Sequence, residues 1–119
     1  MLSSNIGKGA KAMDREIMKG SIDILMLGLV SKHDMYGYEI VKHLKEQSGN
    51  LYNMSEGTLY PALKRLEKKE WLTSYWAETS SGRRKYYKIT EEGRTVLDQK
   101  LGQWKSVNEL IMKTSEDLP

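Results

Sequence analysis

Residues 82–90 read Gly-Arg-Arg-Lys-Tyr-Tyr-Lys-Ile-Thr, so Arg83, Arg84, Lys85 and Lys88 stand together with no acid among them and with aromatic rings interleaved. Guanidinium forks and ammonium groups at this density suit the phosphate oxygens of a polyanion, and an arginine can hold such oxygens without requiring one particular base. A second basic stretch at helical spacing, Ser55 to Glu70, precedes the first. These two features, and not a catalytic constellation, hold most of the chemistry that the chain can offer.

Several classes fall away on composition. None of the 119 residues is a cysteine, which excludes a disulfide framework, a thiolate metal site and a thiol nucleophile together. His33 and His43 have no regular carboxylate spacing around them, so no metal is expected. No nucleophile stands beside an oriented base in any recognisable signature, so neither an enzyme nor a cofactor is expected. The 19 Lys and Arg outnumber the 16 Asp and Glu by a net charge of only +3, and attraction to a polyanion must therefore come from clustering. The most apolar run, Ile22 to Val30, is interrupted by Asp23, is much shorter than the roughly 20 residues of a membrane span, and lies too far in for a secretory leader. A soluble cytoplasmic protein without membrane contact is the expectation.

The elements that must position the basic residues follow from periodicity. Residues 1–13 are small, polar and glycine-bearing, the composition of a solvated tail. Asp14 can cap a helix reaching about Ser31, which turns apolar on nearly every side after Gly20 and so predicts contact with two surfaces, its own core and a partner subunit. Tyr36 to Gln47 alternates Gly37, Ile40, Val41 and Leu44 with charged residues at helical spacing, and Ser48-Gly49-Asn50 ends it. A third helix should run from Ser55 to about Lys69. Its stripe of Leu59, Ala62, Leu63 and Leu66 turns inward, which leaves Gly57, Pro61, Lys64 and Lys68 outward and Tyr60 and Arg65 on the shoulders. Pro61 predicts an irregular first turn.

Leu72 to Glu78 and Arg84 to Ile89 alternate as strands around a Thr79-Ser80-Ser81-Gly82 loop, giving a hairpin with a basic, flexible tip. Thr90 caps a last helix to about Thr114, on the order of 37 Å long at 1.5 Å per residue and too long for a domain of this size to cover. Along it Leu97, Leu101, Trp104, Asn108 and Ile111 fall at alternating steps of four and three, a coiled-coil-like seam with one polar position that a second copy would bury.

The fold class expected is α+β, mainly α: a winged helix-turn-helix over 14–89 with a long C-terminal dimerisation helix over 90–115. Taken singly, the basic helix and the basic hairpin read as solvated surface. Their order favours nucleic acid, because a slim helix fits a major groove about 12 Å wide while cations on the hairpin grip flanking phosphates.

Three segments carry a resemblance to a known family: Tyr36-Gly37-Tyr38-Glu39-Ile40, Gly57-Thr58-Leu59-Tyr60-Pro61-Ala62-Leu63-Lys64-Arg65-Leu66-Glu67, and Gly82-Arg83-Arg84-Lys85-Tyr86-Tyr87 followed by Ile89-Thr90 and Gly93. In this order and spacing, over roughly residues 19–112, the chain resembles the PadR family of bacterial transcriptional regulators. The resemblance implies a winged helix-turn-helix homodimer that represses transcription from an inverted-repeat operator in double-stranded DNA and is released by a small molecule. It is nearest to the short members with one helix after the wing, some of which sense drugs and control efflux genes. The longer members, including phenolic-acid regulators, carry a larger C-terminal domain.

Carried over residue by residue, the resemblance makes Ser55, Thr58, Tyr60 and Lys64 contacts in or beside the major groove, Tyr38 a backbone contact, and Gly82, Arg83, Arg84 and Lys85 the wing. Tyr60 has an alternative as packing against a neighbouring helix, and Tyr86 is open between core and surface. The first and last helices form the implied dimer interface, here Ile22, Leu25 and Met26 with Leu97, Leu101, Trp104 and Ile111. Trp104, with Asn108 one turn on, is the candidate contact for a flat aromatic effector, and filling the seam explains it equally well. Trp71 and Trp76 read as core or shoulder packing. The rival from another class is a winged-helix module that holds an acidic protein partner, and a third reading is a small-ligand carrier around Trp104.

Overall fold

The computed structural model describes residues 14–116. The tail expected over residues 1–13 lies outside them. Element order is α1 (Arg15–Lys19), α2 (Ile22–Val30), β1 (Met35–Tyr36), α3 (Gly37–Gln47), α4 (Glu56–Lys68), β2 (Leu72–Thr79), β3 (Gly82–Ile89) and α5 (Glu91–Glu116). The strands form one antiparallel sheet in the order β1-β3-β2. Mainly helical, with this small sheet and a long last helix, the architecture is the winged helix that the sequence pattern predicts.

The single first helix expected is in fact two. Asp14 caps α1, its carboxylate accepting from the backbone N–H of Glu16 at 2.7 Å, and the chain then turns at Gly20 and Ser21 before α2 begins. The break redirects α2 into the middle of the protein, where it packs against α3, α4, β3 and α5. This position accounts for much of its apolarity: Ile22, Met26, Leu27, Leu29 and Val30 are all buried by the chain's own elements. Ile24 and Leu25 are only partly covered.

α3 and α4 end in the same way for different sequence reasons. After α3 Gly49 (φ 64°) and Asn50 (φ 68°) are both left-handed, and the N–H of Asn50 closes on the carbonyl of Lys45 at 2.8 Å. After α4 the left-handed residue is Glu70 (φ 65°), where a Cβ makes that conformation costly, and the N–H of Trp71 closes on Leu66 at 3.0 Å. Ser55 caps α4, its hydroxyl accepting from the Thr58 N–H at 3.3 Å. Contrary to the irregularity predicted at Pro61, α4 runs unbroken through it. Gly57 and Pro61 both sit on the exposed face, where solvent takes the place of a lost helical donor.

The inward stripe of α4 joins Met26, Leu27, Met35, Ile40, Leu72, Tyr87 and Ile89 in one core, and Leu97 of α5 closes it. The hairpin is tighter than expected, since Thr79 and Gly82 still pair and only Ser80 and Ser81 turn. The Thr79 hydroxyl donates to the Gly82 carbonyl at 2.5 Å and accepts from the Ser81 N–H at 3.2 Å, which closes the turn. The third strand, β1, escaped the sequence because two residues show no periodicity, and only pairing with Tyr86 and Tyr87 makes them a strand.

At the root of α5 the Thr90 side-chain oxygen accepts from the Gly93 N–H at 2.9 Å, and its hydroxyl donates to the Glu70 carbonyl at 2.7 Å. Gly93 is pressed so closely to the chain after α4 that a Cβ there would lie 2.2 Å from the Trp71 carbonyl oxygen. Beyond Lys100 every residue of α5 described is exposed. Among the described residues no helix is long and apolar enough to cross a membrane, and no group of three or more His, Asp or Glu residues could hold a metal ion.

Candidate nucleic-acid interface

The start of α3, the middle of α4 and the wing meet around one open hollow lined by Tyr36, Gly37, Tyr38, Tyr60, Trp76, Arg83, Arg84, Lys85 and Tyr87. Five of the sequence-selected residues are therefore brought together: Tyr38, Tyr60, Arg83, Arg84 and Lys85. Tyr38 projects from the first turn of α3 and is 65% exposed. Tyr60 is half-exposed and leans back so that its hydroxyl rests over Gly37, which gives substance to both of its readings, surface contact and helix packing.

Lys64 is exposed on the outward face of α4, one turn beyond Tyr60, and Lys68 follows it. Ser55 and Thr58 are exposed at the N-terminal end of the same helix but line a different hollow, shared with Lys19, Ile22 and Tyr52. Ser55 spends its oxygen on capping. Arg65 turns the other way and pairs with Asp23 of α2 at 2.6 Å, a role the sequence left open.

The wing's cations are held by aromatic rings. The Arg83 guanidinium lies 4.8 Å from the Trp76 ring, Arg84 lies 4.3 Å from Tyr36, and the Lys85 ammonium lies 5.7 Å from Tyr87. Gly82 is exposed at φ 109°, a conformation that L side chains rarely adopt, so this position is fixed by the turn. Of the two readings of Trp76, core or shoulder packing, the core one falls away: the ring is 55% exposed on the wing. Tyr86 resolves as half-buried, stacked on Tyr75 at 5.8 Å and edge-on to Tyr36 at 5.5 Å.

Two tyrosines show how the sheet's faces differ. Burial raises the phenol pKa of Tyr87 above its ordinary value, as expected of a ring on the core side. On the outer face Tyr75 donates to the Asp34 carboxylate at 2.5 Å, and that hydrogen bond raises the Tyr75 pKa by stabilising the neutral phenol. Asp34 thereby ties the loop before β1 to β2.

The residues expected at a subunit interface divide into two groups. Ile22, Met26 and Leu97 are buried inside the protomer, Met26 completely, and pack in the chain's own core. Leu25 is half-buried. Leu101, Trp104 and Ile111 are exposed, Asn108 with them, and Val107, Leu110 and Met112 extend the same apolar surface, all six apolar side chains lying between 46% and 61% exposed. The additional three were legible in the sequence but fall outside a strict alternation of four and three.

The family model described as "Transcriptional regulator PadR-like family" matches residues 26–99, from the middle of α2 into α5. A solved transcriptional regulator from Clostridium thermocellum is 37% identical, with a TM-score of 0.80 over 86% of this chain and 97% of that one. A PadR family transcription regulator from Clostridium difficile is 41% identical, with a TM-score of 0.72 over 79% of this chain and 97% of that one. The negative transcriptional regulator PadR of Bacillus subtilis is 30% identical over 77% of this chain, and the match spans 49% of that protein's length.

Proposed function

The chain belongs to the PadR-like family of transcriptional regulators, and from that premise we propose that it is a cytoplasmic homodimeric repressor of an inverted-repeat operator. α4 enters the major groove with Lys64, Thr58 and Tyr60 at its surface, and Ser55 stands at its leading end. Arg83, Arg84 and Lys85 of the wing hold flanking phosphates, and Tyr38 adds a backbone contact from α3. The observation that carries this reading is the single hollow uniting Tyr38 and Tyr60 with the wing's three cations.

Two copies are clasped along the outer half of α5 through Leu101, Trp104 and Ile111, with Leu25 of α2 at the edge. Support comes from the row of exposed apolar side chains, which exceeds the isolated apolar residues normal on a soluble surface. The clasp sets two α4 helices about 34 Å apart, one duplex turn. A small flat hydrophobic effector seated against Trp104, with Asn108 beside it, favours a different opening of the two long helices and so releases the operator. Its leverage equals its differential affinity for the two arrangements. Efflux or stress genes are the targets that fit such an effector.

Footprinting on DNA beside the protein's own gene tests the proposal. Paired protections one helical turn apart support it. No protected segment, together with recovery of an acidic protein partner, replaces it with the interaction-module reading.

A further inference from the structure

We propose that Trp76 is a positioning residue for Arg83, holding its guanidinium by the face so that its edge donors stay free for a phosphate. The inference rests on the DNA-binding reading and adds a residue to it.

Cross-strand register sets up a competition for Arg83. Glu78 is its direct partner across the hairpin, and Trp76, opposite Lys85, is its diagonal neighbour on the same face. An opposite charge directly across a strand pair ordinarily captures an arginine. Here it does not: the guanidinium lies 4.8 Å from the Trp76 ring, and among the described residues the ion pair formed is Arg65 with Asp23.

The choice matters because the two partners use different parts of the guanidinium. A carboxylate takes the N–H edge and cancels the charge, whereas an aromatic ring takes the planar face and leaves both charge and donors outward. Trp76 is 55% exposed, and its broad face is the one that the guanidinium covers. Arg84 is seated likewise on Tyr36, but the Tyr36 ring also packs edge-on against Tyr86 at 5.5 Å, so the Trp76 seat is the cleaner one to remove.

The test is a double-mutant cycle read on a labelled mixed-sequence duplex at low salt, beside proton NMR of the free protein. Trp76→Leu is expected to weaken binding about two- to fivefold for each wing, the range of an exposed cation–π contact. The same change in an Arg83→Ala background should do nothing further, and Trp76→Phe should keep most of the affinity. Glu78→Gln added to Trp76→Leu should restore binding, because the released arginine is then no longer captured. In the free protein the Arg83 side-chain protons should carry a ring-current shift that Trp76→Leu abolishes. Equal losses from Trp76→Leu in both backgrounds would overturn the inference while leaving the DNA reading intact. A wild-type protein that holds no duplex would remove both.

Discussion

The hydroxyl of Tyr60 rests against the bare Cα of Gly37, where an added Cβ would lie 2.9 Å from the phenolic oxygen and 3.2 Å from a methyl of Leu59. The start of α3 and the outward side of α4 are thus in contact through the one residue type that leaves room for it. Gly37→Ala should push out the free end of Tyr60, a flexible side chain, and leave the backbone in place. Thermal stability should fall by about 1 kcal/mol or less. DNA affinity should fall about fivefold, as for one lost hydrogen-bonding contact. Equal affinities for the two proteins would show that the position of Tyr60 is irrelevant to the duplex.

At Gly93 the opposing atom is a backbone carbonyl, and nothing there can yield. Gly93→Ala should cost about 3 kcal/mol or more, the upper range for overpacking. Calorimetry that found an unchanged midpoint would contradict the close approach to Trp71.

Glu70 holds a left-handed conformation that suits glycine. Glu70→Gly should stabilise the protein by about 1 kcal/mol, the Cβ penalty being relieved by more than the added chain entropy costs. Denaturant titration reads the difference, and a loss of stability would mean that the glutamate side chain holds something in place.

The phenol of Tyr75 should ionise above its ordinary range near 10, and Asp34→Asn should bring it back down. Because the folded pKa is the higher one, the hydrogen bond contributes stability below pH 10 that is lost as pH rises through the folded value. Ultraviolet difference titration of the two proteins decides it: identical curves would rule out the Asp34 contact.

With four or five phosphates neutralised per subunit, log affinity should fall against log salt with a slope of roughly −7 to −9, and Arg83→Ala should make it shallower by about one for each subunit. A slope that ignores Arg83 would take the wing off the duplex. Leu101→Asp with Ile111→Asp should give a folded monomer on sedimentation with much weaker operator binding, since neither side chain is buried within the protomer. A stable dimer in that variant would move the subunit contact elsewhere.

Much of this was written in local pattern. The inward stripe of α4, the strands to either side of Gly82 and the long reach of α5 each follow from a period that a short window displays. What local pattern does not carry is what distant segments decide. Asp23 breaks the apolar run of α2 because Arg65, forty-two positions on, receives it at 2.6 Å. The apolarity of Met26 and Leu97 is local information, whereas the elements of the protomer that cover them are not. Trp76 stays open between core and shoulder in the sequence for the same reason: the arginine that occupies its face is visible only once register is known.

Wedged beneath the Trp71 carbonyl, Gly93 makes α5 a lever with no hinge at its fulcrum. Whatever tilts the far end at Glu116, about 34 Å from Gly93 at 1.5 Å per residue, would swing the body behind it, α4 and wing included. For two such bodies joined at their tips, sensing and letting go would be a single rigid stroke, and all of the compliance would belong to the joint.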